Sequence, residues 1–345
     1  MRAVVYDEFR GRIGVREVPD PEAGAGEAVL RVMATGVCRS DWHGWQGHDA
    51  DITSLPHVPG HEMTGVIDSV GPDVEGWAPG DRVTVPFVAG CGVCQSCLDG
   101  NPQVCPNQSQ PGFTHWGSFA ELVRIPFAQN NLVLLPDEID FTSAASLGCR
   151  FATAHRAVVA QGRVAEGEWV VIHGSGGVGL SAVMIASSVG ARVVAVDVNQ
   201  EALDLAKDVG AEALVEVDDD VVAIIRDLTN GGAHVSIDAI GSPAVLKNSL
   251  ASLRRQGRHV QVGLLVGDQA GTQIQMDWVI AHELEIIGSH GAQASVLASI
   301  IEAIVAGDLD PGRLVTKTLT LEQGAEHLAN MNESVEAGIA VIDRF

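Results

Sequence analysis

The sequence predicts an α/β protein in which an all-β first part is followed by a doubly wound parallel sheet. Residues 1 to about 150 read as short strands separated by turn signals such as Asp20-Pro21, Gly71-Pro72 and Pro79-Gly80. From about residue 168, continuous apolar strands alternate with helical stretches. This alternation is typical of a parallel sheet that helices cover on both faces.

The predicted elements follow in chain order. Strands of the first part are expected at 28–32, 65–70 and 80–85. Strands of the second part are expected at 169–173, 192–196, 213–217, 235–239 and 259–262, with helices up to 186 and at 201–208. The tail reads as a helix at 295–306, a strand at 316–321, a helix at 323–331 and a strand at 339–342. We expect the tail to return to the first domain, which gives domains of 1–150 with 289–345, and of 151–288.

Length and charge limit the possible functions. A chain of 345 residues is long enough for two domains. The 44 acidic and 21 basic side chains give a formal net charge of −23, which disfavours a nucleic-acid partner. The sequence contains neither a signal-peptide pattern nor an apolar stretch of roughly 18 residues. We therefore expect a cytoplasmic protein with no membrane partner.

All six cysteines can be given a metal-binding role. Four form the compact run Cys91-x2-Cys94-x2-Cys97-x7-Cys105, while Cys38 and Cys149 stand alone. The run fits a closed, structural zinc site, and the separated thiols fit an open site with a position left for water or substrate. A disulfide framework is the rival interpretation. It is disfavoured because a chain with 46% hydrophobic residues can build its own core.

A glycine-rich turn predicts a dinucleotide site. Gly174-Ser175-Gly176-Gly177-Val178-Gly179 directly follows an apolar strand and opens a helix. The first glycine permits the turn, the second lets the backbone approach a pyrophosphate, and the third allows close packing of helix and strand. Asp197 ends the next strand, where its carboxylate would bind the ribose hydroxyls and repel a 2′-phosphate. The pattern therefore favours NAD over NADP.

Chemical groups are also dense around the predicted open site. Cys38-Arg39-Ser40-Asp41-Trp42-His43 places a thiol, a cation, a hydroxyl, a carboxylate and an imidazole in six residues, and Gly60-His61-Glu62 follows. Residue chemistry alone leaves the role of Cys149 open, since a lone buried cysteine is usually a small apolar side chain.

Together these stretches resemble the zinc-dependent medium-chain alcohol dehydrogenases over essentially the whole chain. Gly117-Ser118-Phe119-Ala120-Glu121 and Leu147-Gly148-Cys149-Arg150-Phe151 complete the set, in family order. The resemblance implies a GroES-like β catalytic domain, a Rossmann NAD-binding domain, and one catalytic and one structural zinc. It also implies that Cys38, His61 and Cys149 bind the catalytic zinc, the ligand set known for alcohol dehydrogenase.

The resemblance assigns the remaining site residues. Glu62 would lie behind the metal, where it can ligate transiently, and Asp41 would orient His61. Ser40 would hydrogen-bond the alcohol, and the proton would leave through the nicotinamide ribose to His43 while a hydride passes to NAD. The implied cofactor contacts are Arg39 at the pyrophosphate, Thr153 and Val178 at the nicotinamide, and Ile240 and Val262 beside the cofactor.

Two other functions remain as alternatives. A polyol or amino-alcohol dehydrogenase of the same superfamily often uses the glutamate of Gly-His-Glu as a ligand in place of the second cysteine, so Cys149 favours the alcohol branch. A zinc-stabilised binding protein without turnover would be expected to lack one ligand of the open zinc site or one of the proton-transfer residues Ser40 and His43. The resemblance also implies a homo-oligomer, with a tetramer favoured over a dimer.

Aromatic side chains near the site suggest the kind of substrate. Trp42, Trp45 and Trp116 lie close in sequence to predicted site residues, and Phe87 matches a pocket-lining position. If these side chains line the pocket, apolar or aromatic alcohols are expected. If they belong to the core, the sequence does not specify the alcohol.

Overall fold

The fold is given by a computed structural model, which describes residues 1–218, 220–333 and 336–345. The chain divides into two compact units. The first comprises Met1–Ala152, Gly291–Val335 and Ile339–Phe345, and the second comprises Thr153–His290 and Glu336–Gly338.

Strands and helices alternate along most of the described chain. The strands are β1 (Arg2–Tyr6), β2 (Ile13–Glu17), β3 (Ala28–Gly36), β4 (Glu62–Val70), β5 (Arg82–Thr84), β6 (Leu122–Ile125), β7 (Val133–Leu134), β8 (Trp169–His173), β9 (Arg192–Asp197), β10 (Ala213–Glu216), β11 (Ala233–Asp238), β12 (Leu253–Gln261), β13 (Glu285–Gly288), β14 (Val315–Thr320) and β15 (Ile339–Arg344). The helices are α1 (Arg39–Trp45), α2 (Gln95–Leu98), α3 (Ala128–Asn131), α4 (Phe141–Ala144), α5 (Ala152–His155), α6 (Gly177–Ser188), α7 (Gln200–Asp208), α8 (Val221–Leu228), α9 (Pro243–Ala251), α10 (Met276–His282), α11 (Ala294–Ala306) and α12 (Leu321–Ala329).

The first unit is built on a seven-stranded mixed sheet. Its order is β14-β15-β3-β4-β5-β7, and β6 pairs with β3. The tail strand β15 runs antiparallel to β3, with Val341 opposite Gly36, and parallel to β14. Alternate residues of β3 point into a core that also contains Met63 and Ile67 of β4, whereas Arg31 and Met33 face outward. The strand predicted at 28–32 lies within β3.

The second unit is a six-stranded parallel sheet. Its order is β10-β9-β8-β11-β12-β13, which in order of appearance is 3-2-1-4-5-6, the doubly wound arrangement. Every residue of β8 is buried, because helices cover both faces of a central parallel strand. The predicted fold class is confirmed.

The all-β description of the first part is incomplete, because several short helices lie there. The most consequential are α1, which carries the polar run after Cys38, and a π-helical turn at Leu147–Phe151, which carries Cys149. Neither segment has the periodic apolar pattern that would predict a helix. Among the described residues, the structure contains no helix with the length and apolar character to cross a membrane.

Candidate metal centre and nucleotide site

Four buried side chains of the first unit form one cluster of potential metal ligands. They are Cys38, His61, Glu62 and Cys149, and one ligand atom of each lies within 4.8 Å of the others. Cys38 precedes α1, His61 precedes β4, and Cys149 lies in the π-helical turn. Two residues that stood alone in the sequence are thus brought together with the His–Glu pair. π-Helical turns are frequent at functional sites.

Asp41 fixes the orientation of the His61 ring. Its Oδ1 accepts from His61 Nδ1 at 2.8 Å and from the Gly60 N–H at 2.9 Å, while Oδ2 accepts from the Cys38 N–H at 3.0 Å. This pairing places the imidazole proton on Nδ1 and leaves a lone pair on Nε2. His61 Nε2 is buried and has no hydrogen-bond partner among the described residues. A metal ion would satisfy this atom.

The kinds of donor atom also fit zinc. A hydrogen bond from Cys149 lowers the pKa of the Cys38 thiol well below its ordinary value, against the cost of burial, and His61 lowers it further. The same contact raises the pKa of Cys149. Two sulfurs and one imidazole nitrogen with a free lone pair form the donor set of an open zinc site.

Arg150 neutralises the fourth member of the cluster. The Glu62 carboxylate accepts from the Arg150 backbone N–H at 2.8 Å, from Nε at 2.8 and 2.9 Å, and from Nη2. Burial raises the pKa of Glu62, and the Arg150 charge opposes this shift. A Cβ on Gly36 would lie 2.2 Å from a Glu62 oxygen, so the glycine makes room for the pair. Sequence reasoning missed this role of Arg150, although its position directly after Cys149 was a usable signal.

Two phenylalanines lie against the His61 ring. The ring centroids of Phe87 and Phe113 are 5.9 and 5.1 Å from that of His61. Phe113 was missed, because it lies in a loop with no site motif. Trp45 and Trp116 instead donate their indole N–H groups to the backbone oxygens of Gly11 and Pro56, at 3.1 and 3.0 Å.

The predicted proton-transfer residues lie on α1. Ser40 Oγ is 3.9 Å from Cys38 Sγ, which places the hydroxyl beside the metal-ligand cluster. His43 is half-buried, and its ring lies edge-on to that of Trp42, with centroids 5.1 Å apart. The Arg39 guanidinium lies 5.3 Å from the Trp42 ring centroid, and its Nη1 donates to Asn332 Oδ1 at 2.5 Å.

The four remaining cysteines form a second cluster in the first unit. The Sγ atom of Cys94 lies 3.5 Å from that of Cys97 and 3.6 Å from that of Cys105, which is 3.5 Å from that of Cys91. These separations exceed a disulfide bond, and all six cysteines are free thiols. Four sulfurs at 2.3 Å from a tetrahedral zinc would be about 3.8 Å apart. The loop therefore fits a closed zinc site.

The glycine-rich turn of the second unit has the geometry expected for a dinucleotide. Gly174 has φ +97°, a left-handed conformation that favours glycine. A Cβ on Gly179 would lie 1.7 Å from the Gly174 oxygen, whereas a Cβ on Gly176 would meet open space. Gly179 thus permits close packing. The exposed Gly176 is the N-cap of α6, and the dipole of this helix favours an anion at its N-terminus.

Asp197 ends β9 and Ile240 follows the end of β11, so both lie at the carboxyl end of the parallel strands, where the glycine-rich turn also lies. Asp197 Oδ2 accepts from the Ser175 N–H at 2.5 Å, and Oδ1 accepts from the Asn199 N–H at 3.0 Å. Ile240 covers Gly174, where an added Cβ would lie 2.5 Å from Ile240 Cγ1. Other predicted contacts of this unit are the half-buried Val178 in α6, the half-buried Val262 after β12, and the buried Thr153 in α5.

Comparisons with known proteins agree with this geometry. The family model "Alcohol dehydrogenase GroES-like domain" matches residues 24–137, and "Zinc-binding dehydrogenase" matches residues 177–306. An alcohol dehydrogenase of Geobacillus stearothermophilus is 38% identical over 266 residues, covering 76% of this chain and 78% of the relative. An NAD-dependent alcohol dehydrogenase of Sulfurisphaera tokodaii is 32% identical over 99% of both chains. The solved alcohol dehydrogenase of Aeropyrum pernix is 29% identical with a TM-score of 0.91, covering 99% of this chain and all of that one.

Proposed function

The chain belongs to the zinc-dependent medium-chain alcohol dehydrogenases, and on that basis we propose that it transfers a hydride between an alcohol and NAD. It is an oxidoreductase whose cofactors are zinc and NAD. The observation that carries the proposal is the buried group of Cys38, His61 and Cys149, in which His61 presents an unpartnered Nε2. A bound zinc supplies Lewis-acid polarisation of the alcohol oxygen, and bound NAD supplies the hydride acceptor.

We assign the catalytic zinc ligands to Cys38, His61 and Cys149. The structural zinc is assigned to the loop that contains Cys91, Cys94, Cys97 and Cys105. Residues 1–150 with 289–345 would form the catalytic domain, and residues 151–288 the NAD-binding domain.

Ser40 and His43 would move the substrate proton. The Ser40 hydroxyl is close enough to Cys38 to hydrogen-bond an alcohol held at the open metal position. It would accept the alcohol proton as it gives its own proton onward to His43. Burial lowers the pKa of His43, as does electrostatic repulsion from the neighbouring His48 and Arg39, so this imidazole is neutral and able to accept a proton at pH 7.

Arg150 would keep the site electrically balanced. Two thiolates neutralise a divalent zinc, and the Arg150 guanidinium neutralises the Glu62 carboxylate that lies among the ligands. These ligand charges would therefore leave a zinc ion held here with a net attraction for negative charge on the substrate oxygen. The pairing of Glu62 with Arg150 and the presence of Cys149 in the cluster favour the alcohol branch over the polyol and amino-alcohol dehydrogenases.

The substrate would be a primary or secondary alcohol, with aromatic alcohols included, or the corresponding aldehyde or ketone. Phe87 and Phe113 support this range, because both rings lie against His61 beside the ligand cluster. Trp45 and Trp116 carry less of this argument than their sequence positions suggested, since both indoles bond to backbone oxygens. For NAD, the carboxylate of Asp197 would bind the ribose.

Cytoplasmic location and self-association are also proposals. Six cysteines outside any disulfide bond fit a reducing compartment. Every residue of α10 is exposed or half-buried, including Trp278 and Ile280, and β13 lies at an edge of the six-stranded sheet. Exposed apolar side chains and an open strand edge support a homo-oligomer, and a tetramer is favoured. Light scattering on the purified protein tests this, and a monomer would contradict it.

Absorbance at 340 nm tests the activity. The zinc-loaded enzyme is mixed with NAD and with short primary, secondary, benzylic and polyol substrates, and a chelator-treated sample serves as the control. We expect chelator-sensitive reduction of NAD with primary, secondary or benzylic alcohols. Turnover with polyols alone would indicate a polyol dehydrogenase of the same superfamily. No turnover with zinc bound would contradict the proposal.

A further inference from the structure

The C-terminal end of α1 brings a second histidine to His43. Gly47 adopts a left-handed conformation with φ +75° directly after the helix. Its N–H donates to the Gly44 oxygen at 2.9 Å, and the N–H of His48 donates to the His43 oxygen at 3.0 Å. These two bonds define a Schellman motif, in which the residues at the positions of His43 and His48 are normally in apolar contact.

Here the motif joins two imidazoles by a hydrogen bond. His43 Nδ1 lies 3.0 Å from His48 Nδ1, and the ring centroids are 5.3 Å apart. The Trp42 ring lies edge-on to both imidazoles, at 5.1 and 5.9 Å between centroids. The backbone and Trp42 therefore fix the two rings as a pair.

A contact between two Nδ1 atoms restricts the protonation states of the pair. One nitrogen must donate and the other must accept, so the paired rings can take up one additional proton. A second additional proton would place two N–H groups face to face and break the contact. The titratable groups that act on His43 are His48 and Arg39, which disfavour its protonation, and Cys38 and Asp49, which favour it.

The two rings differ in their access to water. His43 is half-buried, whereas His48 is exposed. Burial lowers the pKa of His43, so this ring does not keep an accepted proton at neutral pH. An exposed imidazole at hydrogen-bond distance gives that proton a route to bulk water.

We propose that His43 and His48 act as one proton-accepting pair, in which His48 passes to water the proton that His43 receives from the alcohol. The proposal rests on the dehydrogenase function. His43 takes the proton at Nε2, its Nδ1 proton moves to the Nδ1 lone pair of His48, and His48 releases its Nε2 proton to water. One proton enters and one leaves, which leaves His43 as the Nε2–H tautomer and His48 as the Nδ1–H tautomer. Proton exchange of both rings with water then restores the starting tautomers before the next turnover.

The pairing is tested without turnover, by NMR on the zinc-loaded protein labelled with ¹⁵N in its histidines. We expect a scalar coupling between the two Nδ1 nuclei, which reports a shared hydrogen bond. His48→Leu should abolish the coupling and leave the fold intact, because leucine supplies the apolar contact that a Schellman motif usually contains. Two imidazoles that titrate independently without coupling would overturn the pairing.

The relay is tested by the response of alcohol oxidation to buffer concentration at constant pH and ionic strength. We expect His48→Leu to lower the rate of a step limited by proton release by about tenfold, and phosphate or Tris to restore it. Wild type and the control Gln46→Leu, on the same turn, should be insensitive to buffer concentration. A purely structural role for His48 predicts a loss that buffer does not restore. An enzyme that oxidises no alcohol would contradict the proposed function, while the coupling would still decide the pairing.

Discussion

Asp41 is a single buried carboxylate that organises the predicted metal site. Both of its oxygens are occupied, by the N–H groups of Cys38 and Gly60 and by His61 Nδ1. It therefore sets the position of the cysteine backbone and the tautomer of the histidine together. The sequence could propose this role because Asp41 lies within the motif, but it could not show that the same carboxylate also binds the backbone of Gly60.

Asp41→Asn should weaken zinc binding at the catalytic site. An amide nitrogen cannot accept, so the asparagine side chain loses either the Cys38 N–H or, with the amide turned round, both the Gly60 N–H and His61 Nδ1, and in either orientation the negative charge that favours the Nδ1–H tautomer is gone. Loss of such a supporting contact typically lowers metal affinity about 10- to 100-fold. Competition with a chromogenic chelator measures the change. Unchanged affinity for both zinc ions would show that His61 is oriented without Asp41.

Arg150→Met should destabilise the first unit by about 3–5 kcal/mol, because Glu62 would be left as an uncompensated buried charge. Side-chain exposure is 7% for Arg150 and zero for Glu62, so water cannot replace the lost partner. Denaturant unfolding measures the loss. The double variant Glu62→Gln/Arg150→Met is the control, and it should lose less than the single variant. A double variant that loses as much or more would contradict this account.

At the scale of elements, the cysteine loop between Cys91 and Cys105 depends on its metal ligands for a fixed conformation. Val93, Leu98 and Val104 are 78%, 69% and 56% exposed, so apolar burial contributes little to the loop. Its one helical turn, α2, has four residues and is too short to be stable alone. Cysteine ligation is therefore the main interaction that can hold the loop in place.

Cys97→Ser should remove one zinc per chain and leave the loop open to proteolysis. Zinc content and the rate of cleavage between Cys91 and Cys105 measure these effects, together with a lower melting temperature. Ser96→Ala, in the same short helix, is the matched control and should retain both zinc ions. A loop that remains resistant to protease after losing its zinc would show that other contacts hold it.

The elements also show why some of the structure could be predicted and some could not. The strand predicted at 169–173 is β8, with the same bounds, because a run of apolar residues between polar turns has a local signature. The helix α1 has no such signature, because polar residues such as Ser40 and Asp41 occupy it and contact the metal-ligand cluster. The pairing of Glu62 with Arg150 spans 88 residues, a separation that local patterns do not encode.

The meeting of Cys38, His61 and Cys149 at one site is also a long-range feature that local sequence patterns do not encode. Residue spacing alone left Cys149 open as a ligand, and only the resemblance joined it to Cys38 and His61. The glycine-rich turn was different, because its strand–turn–helix context is local and its chemistry follows from backbone geometry.

For the whole molecule, stability in mild acid should depend on buried neutral histidines. Burial lowers the pKa of His173 to about 3, helped by the neighbouring His259. Carboxylates with lowered pKa, such as Asp140 and Glu212, lose stabilisation only when the pH approaches their ordinary range near 4. Between pH 6.5 and 5, therefore, the histidines rather than the excess of acidic side chains should dominate.

His173→Leu should make the protein less sensitive to acid. An unfolded histidine binds a proton below about pH 6.5, and a folded one with a lower pKa does not, so stability falls as the pH decreases below 6.5. The cost is about 1.4 kcal/mol per pH unit, which gives about 2 kcal/mol at pH 5. Denaturant unfolding at pH 7 and pH 5 should show a loss that is about 2 kcal/mol larger in the wild type than in His173→Leu, in which other buried histidines such as His115 still contribute. Ile172→Leu, the neighbouring residue of β8, should behave like the wild type. An equal loss in all three proteins would mean that His173 is already charged in the folded state.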